Sequence, residues 1–239
     1  MKHFLQNIPK LLYPSRCPIC GKVPVKGTDI CPSCYQSITF VTQPFCYSCG
    51  KPLSNEETEY CLDCTNHPKS FDRGFSLTVY DAVTKPSMSA IKYKNHRQYL
   101  DFYVSETITA YGAVFASLHL DAILPVPIHP KRMKKRGFNQ ASLFAKSIGK
   151  SLNIPVYDSL LIRKSNTLPQ KNLTPAERLS NLQKAFSLFP GYENSTLPFD
   201  TVLLVDDIYT TGSTMEALTR LLKSHGVAKV YIFSICIGN

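Results

Sequence analysis

From residue 75 onward, short apolar runs alternate with longer amphipathic stretches. "FSLTVYDA" (75–82), "LDAILPVP" (120–127), "VYDSLLI" (156–162), the run 201–206 and "AKVYIFSICI" (228–237) have the length and β-branched content of strands. Pro125 and Pro127 halt the second of these. Between the strands the period changes to that of a helix. Residues 86–118 read as helical with a break near His96. Residues 139–153 put Ala141, Phe144, Ala145, Ile148 and Leu152 on one face, and 213–225 turn Met215, Leu218, Leu221 and Leu222 inward. Residues 163–174 are polar and read as irregular. Thr174-Pro175-Ala176-Glu177 then spells a helix start, with Thr at the N-cap, Pro first and Glu third. Strands alternating with helices predict an α/β fold, a mostly parallel sheet with helices on both faces.

The first 64 residues follow a different pattern. Eight of the nine cysteines form the CxxC pairs Cys17/Cys20, Cys31/Cys34, Cys46/Cys49 and Cys61/Cys64. A CxxC turn aims two thiolates at one ion, and two such knuckles close a tetrahedral zinc site without an open position. Gly21 and Gly50 directly follow a second cysteine, where a knuckle needs a permissive backbone. Two structural Zn2+ ions are expected. The short, nearly equal gaps favour sequential pairing into two zinc ribbons; interleaved pairing would give a cross-brace. Cys236, in an apolar strand, reads as a core residue. The polar stretch 65–75, with Pro68 and Gly74, reads as the join between an N-terminal zinc-ribbon module (1–70) and the α/β domain (71–239).

The chain has 239 residues, 44% of them hydrophobic, which suits a packed protein and excludes a disordered one. No apolar run reaches the roughly 18 residues of a membrane span. The start shows no secretory pattern, so a cytoplasmic protein is expected. Phe4, Leu5, Ile8, Leu11 and Leu12 form a short apolar stripe, suited to core packing or to peripheral contact with the inner face of a membrane. The formal charge is +10. Two zinc sites of four thiolates, at about −2 each, would bring it to roughly +6. A basic surface points to an anionic partner.

One stretch asks for chemistry directly. In "VLLVDDIYTTGST" (202–214) a buried strand runs into adjacent carboxylates, Asp206 and Asp207, and then into Thr210, Thr211, Gly212, Ser213 and Thr214. Paired acids at the end of an apolar strand are costly unless something binds them. In open α/β sheets ligands bind at the carboxyl ends of strands, and a helix start offers free N–H groups to a phosphate. The acids would then meet the adjoining sugar hydroxyls and hold Mg2+ near a pyrophosphate.

All thirteen positions of that stretch resemble the 5-phosphoribosyl-1-diphosphate (PRPP) motif of type I phosphoribosyltransferases. With "AIKYKN" (90–95), "LPVPIHPKRMKKRGFNQA" (124–141), "RKSNTLPQKNLTPAERLSN" (163–181) and the cysteine pairs, the chain resembles the ComF/ComFC family of competence proteins from about Tyr13 to Ile237. The resemblance implies a type I phosphoribosyltransferase fold joined to zinc ribbons. It also implies a role in natural transformation, with incoming single-stranded DNA and a helicase-like competence ATPase as partners. It assigns Asp206 and Asp207 to the ribose hydroxyls and Mg2+, as the catalytic acids, and 210–214 to the 5-phosphate. Pro127, Ile128 and His129 fall at the pyrophosphate loop, Lys92 at a pyrophosphate contact, and Arg163 to Gln170 at a mobile lid. Some purine-specific relatives carry an acid where this chain has Tyr209.

The run "KRMKKRGFNQ" packs Lys131, Arg132, Lys134, Lys135 and Arg136 into six residues, more charge than one small ligand requires. Single strands are gripped by backbone charge plus stacking, for which Tyr93, Phe138 and Tyr209 are candidate rings. Two functions follow. One is a DNA-uptake factor with PRPP as ligand or regulator. The other is an active phosphoribosyltransferase joining a nitrogen nucleophile to PRPP.

Overall fold

The computed structural model describes residues 16–164, 184–193 and 195–238. The apolar stripe in 1–15, the capped helix start at Thr174 and the lid segment beyond Lys164 lie outside these residues.

Two short helices begin at the second cysteine pair of each half of the N-terminal region: α1 (Pro32–Ser37) and α2 (Leu62–Asn66). The α/β part then runs β1 (Arg73–Val79), α3 (Thr84–Tyr93), α4 (Tyr99–Ser117), β2 (Ala122–Pro125), α5 (Pro130–Arg136), α6 (Gln140–Leu152), β3 (Leu161–Arg163), β4 (Phe186–Leu188), β5 (Thr201–Tyr209), α7 (Ser213–Lys223) and β6 (Lys229–Ile237). The main sheet has the order β1-β6-β5-β2, and every pairing in it is parallel. β3 and β4 form a separate antiparallel pair.

Alternation along β5 explains the two layers. Val202 and Leu204 join one apolar cluster with Met215, Leu218 and Leu222 of α7. Leu203 and Val205 join the other, with Ile91 of α3, Phe102 of α4 and Phe144 of α6. In the second layer Phe144 stacks on Phe233 at 5.7 Å and 6°, while Phe115 meets Phe233 edge-on at 5.8 Å. Cys236 is fully buried there beside Thr78, as its apolar strand implied.

The helix break expected near His96 falls between Tyr93 and Tyr99. Asp81 opens α3: its Oδ1 accepts from the N–H groups of Val83 and Thr84 at 2.9 and 3.0 Å. Two expectations need correction. The strand read at 156–162 is shorter: Val156 makes a lone bridge to Ile123, and regular pairing covers only 161–163. In the gap, the Asp158 carboxylate pairs with Lys146 and accepts from Ser142 Oγ, both of α6. The strand read as 201–206 is longer. β6 stays paired with it through Ile208↔Cys236 and Tyr209↔Ile237, so Asp206 and Asp207 sit within the strand rather than at its end.

The N-terminal region packs onto this sheet. Phe40 bridges Thr78 of β1, with Val41 N–H donating to Leu77 O and Val79 N–H to Thr39 O, both at 2.9 Å.

Candidate functional site

The cysteines pair sequentially. The sulfurs of Cys17, Cys20, Cys31 and Cys34 lie within 4.8 Å of one another, as do those of Cys46, Cys49, Cys61 and Cys64. Both sets are built alike. The first CxxC is a knuckle, closed by Gly21 N–H to Cys17 O and by Gly50 N–H to Cys46 O, each at 2.9 Å. The second starts a helix, with Cys31 at the N-cap of α1 and Cys61 at the N-cap of α2. Four soft sulfur donors this close suit a tetrahedral thiolate-bound ion such as Zn2+. Burial and the sulfurs of Cys20 and Cys17 push the Cys34 thiol up to about 12, a crowding that a divalent cation relieves. The second set is the deeper: all four of its cysteines are buried, whereas in the first only Cys17 is.

At the carboxyl ends of the parallel strands lies a cleft of about 320 Å³. Its floor is Asp206, Asp207 and Ile208 of β5; Thr210 and Thr214 close one side, and Val126, Pro127 and Ile128 after β2 another. Four cations from three helices and strands enter it: Lys92 from α3, Arg132 and Arg136 from α5, and Arg163 from β3. The spacing within α5 has a simple origin, since positions 132 and 136 lie one turn apart on the same face.

The charges are only partly matched. Lys92 pairs with Asp207, both largely buried. Asp206 Oδ1 accepts from the Asp207 N–H at 2.8 Å. Burial and then the charge of Asp207 hold the Asp206 carboxyl well above the usual carboxylate range, and Lys92 offsets this only in part. Arg136 donates to Gln140 Oε1 at 3.1 Å and to Tyr93 Oη at 3.0 Å, with its guanidinium over the Tyr93 ring at 4.7 Å. Burial, followed by the charge of Arg132, lowers the Arg163 pKa, and its buried Nε has no hydrogen-bond partner among the described residues. Arginines and adjacent carboxylates lining one cleft form a site suited to a multiply charged anion and a hard cation.

The turn after β5 is shaped by Gly212, at φ 72° ahead of α7. Tyr209, 5% exposed, fills the space where a Cβ at Gly212 would stand, with its Oη well inside contact distance of that position. Thr210 and Thr214 face the cleft, and Thr211 Oγ1 lies 2.9 Å from Ser213 Oγ in the turn.

The predicted residues therefore divide. Asp206, Asp207, Thr210, Thr214, Lys92, Pro127, Ile128 and Arg163 meet at the cleft, whereas Thr211, Gly212 and Ser213 form the turn beside it and His129 caps α5, accepting from Lys131 N–H. The basic run splits: Arg132 and Arg136 join the cleft, and Lys131, Lys134 and Lys135 are exposed elsewhere on α5. Of the rings offered for stacking, Phe138 and Tyr209 are buried, Phe138 beneath the Arg97 guanidinium at 4.2 Å, which removes both; Tyr93 is 62% exposed. Tyr80 and Gln140 also line the cleft. No sequence signal marked Tyr80; Gln140 had one, since it follows Arg136 by four positions.

Residues 8–65 match the double zinc ribbon domain and residues 139–239 the phosphoribosyl transferase domain. Over the whole chain the similarity is to competence protein F of Haemophilus influenzae, 28% identical over 92% of this chain and 96% of that one. Competence protein ComFC of Bacillus subtilis is 26% identical over 83% and 80%. The DNA utilization protein YhgH of Shigella flexneri is 26% identical over 95% and 98%. Among solved structures, adenine phosphoribosyltransferase from Leishmania tarentolae overlays 63% of this chain and 75% of that one, at 14% identity and a TM-score of 0.38.

Proposed function

We propose that this chain, a member of the ComF/ComFC family of competence proteins, acts in DNA uptake and holds PRPP or a related phosphoribosyl ligand, with Mg2+, in the cleft above β5. The observation that carries the reading is the convergence of Lys92, Arg132, Arg136 and Arg163 around Asp206 and Asp207, beside Thr210 and Thr214. Thr210 to Thr214 and the first N–H groups of α7 would take the 5-phosphate. Asp206 and Asp207 would accept hydrogen bonds from the ribose hydroxyls. Lys92, the Pro127–Ile128 backbone and the three arginines would take the pyrophosphate. Mg2+ would supply charge neutralisation between those acids and the pyrophosphate. The names of the relatives, competence proteins and a DNA utilization protein, support the DNA-uptake role.

Single-stranded DNA belongs to the same reading, through exposed Lys131, Lys134 and Lys135 with Tyr93 at hand for stacking. A helicase-like ATPase and other uptake proteins are the expected partners, in the cytoplasm at the inner face of the membrane. No helix among the described residues is long and apolar enough to cross a membrane. The zinc module is assigned to 1–70 and the ligand domain to 71–239.

Calorimetry with PRPP and Mg2+ tests the site. Asp206→Asn with Asp207→Asn should weaken binding by about 100-fold or more while circular dichroism stays native. Unchanged affinity would remove the ligand from this cleft.

The unbroken 202–214 stretch favours a second reading, an active phosphoribosyltransferase. A nitrogen nucleophile would form a bond to the sugar C1 as the C1–O bond to pyrophosphate breaks, its proton passing to solvent. The departing charge would fall to Lys92, Arg132, Arg136 and Arg163. Pyrophosphate release from PRPP that depends on one base in a mixed pool would establish it; release with none would leave binding alone.

A further inference from the structure

The two cysteine sites differ in where they touch the rest of the protein. The first meets α4: Tyr35 Oη donates to Glu106 Oε2 at 3.0 Å, and Tyr35 sits edge-on to Phe102. The second is seated on the ligand domain at three places. Its knuckle lies backbone to backbone on the start of β1, where Gly74 N–H donates to Ser48 O at 2.6 Å. A Cβ at Gly74 would stand 2.8 Å from Cys49 O, so no side chain fits between them. Just beyond Cys64, Ser70 donates through N–H and Oγ to the carboxylate of Glu216, at 2.7 and 2.6 Å. Glu216 is 5% exposed, stands in the first turn of α7 and also accepts from Arg220 Nε.

The third place is Tyr209. It shares an apolar cluster with Cys46, Cys49, Cys61 and Cys64. Its ring also fills the space beside Gly212, and its buried hydroxyl has no hydrogen-bond partner among the described residues. So Tyr209 belongs both to the apolar cluster that holds the second sulfur site and to the turn that begins α7.

We propose that the second four-cysteine site is a structural member of the 210–214 turn. With metal bound it fixes Tyr209 under Gly212 and Glu216 on Ser70, and loss of metal from this site, but not from the first, loosens the turn and weakens anion binding. Tyr209 is thereby a positioning residue. The effect on ligand rests on the PRPP reading above; the effect on the turn does not.

Hydrogen exchange of amides 210–216 in the full chain, without ligand, tests the coupling, with zinc content measured alongside. Cys61→Ser with Cys64→Ser should lose one zinc and exchange about tenfold faster there. Cys31→Ser with Cys34→Ser should also lose one zinc and exchange at the wild-type rate. Equal acceleration in both variants, or none in either, overturns the proposal. Should the Cys61/Cys64 variant fail to fold, Tyr209→Ala decides. It should keep both zincs and still exchange faster at 210–216, and wild-type exchange would refute the coupling. PRPP calorimetry separates the two readings. A protein that shows the exchange pattern but binds no PRPP keeps the coupling and rejects the ligand.

Discussion

Asp206 is held against its own preference for water. Burial and the neighbouring Asp207 raise its pKa, and the amine beside the pair, Lys92, is already committed to Asp207. Its folded value stands above its unfolded one. The stability this group contributes is therefore full below the ordinary carboxylate pKa and lost as the pH rises through the raised value. Asp206→Asn should thus stabilise the free protein by about 1 kcal/mol at a pH above that value. The gain should vanish as the pH falls and the wild-type carboxyl takes up its proton. Thermal melts of both proteins across pH check this; a variant that melts lower at every pH would show that Asp206 is already well compensated. A bound Mg2+ would reverse the balance by favouring the ionised form, so a residue that weakens the fold is the one that a cation needs.

Helix α5 packs two surfaces into seven residues. Arg132 and Arg136 look into the cleft, while Lys131, Lys134 and Lys135 are exposed. The two sets should separate on substitution. Arg132→Gln with Arg136→Gln should weaken PRPP by about tenfold or more. Neutralising the three lysines should leave PRPP binding and lower the slope of log affinity for single-stranded DNA against log salt by about 2. A slope that stays put would take DNA off this helix. The same helix shows what the sequence could and could not reveal. The run of charge was plain, but its division depends on the turn at His129 that sets the helix phase, and a lone seven-residue helix gives no periodic signal. Longer elements were legible because burial repeats along them: α6 buries Ala141, Phe144, Ala145 and Ile148 on the expected face, with Leu152 at its end only partly buried. Asp158 was not legible, since its partners Lys146 and Ser142 stand on another element. In the cleft, Asp206 and Asp207 could be read from the cost of placing acids after an apolar strand. Tyr209 could not, because an aromatic in a strand has many bland explanations and only the fold puts it beside Gly212 in the cluster that holds the second sulfur site.

At the scale of the whole molecule, the two zinc sites sit at different depths. In the first, Cys20 is exposed and Cys31 and Cys34 are half-buried; in the second, all four cysteines are buried, and the surrounding cluster continues through Tyr209 into the α7 face of the sheet. Removing metal from the first need only open an edge against α4. Removing it from the second requires parting the Gly50–Gly74 backbone contact and the Ser70–Glu216 pair. Metal loss from a buried site proceeds through local opening, whose free energy approaches that of global unfolding as more core is involved. Zinc release to a chromogenic chelator should therefore be biphasic, one equivalent leaving at least about tenfold faster than the other. The fast equivalent should disappear in Cys31→Ser with Cys34→Ser. An anion bound at the 210–214 turn stabilises the closed state alone, so saturating PRPP should slow the second phase and leave the first unchanged. Two equivalents released at one rate, or both slowed alike by ligand, would mean that the ribbons open together and that the sheet treats them as one body.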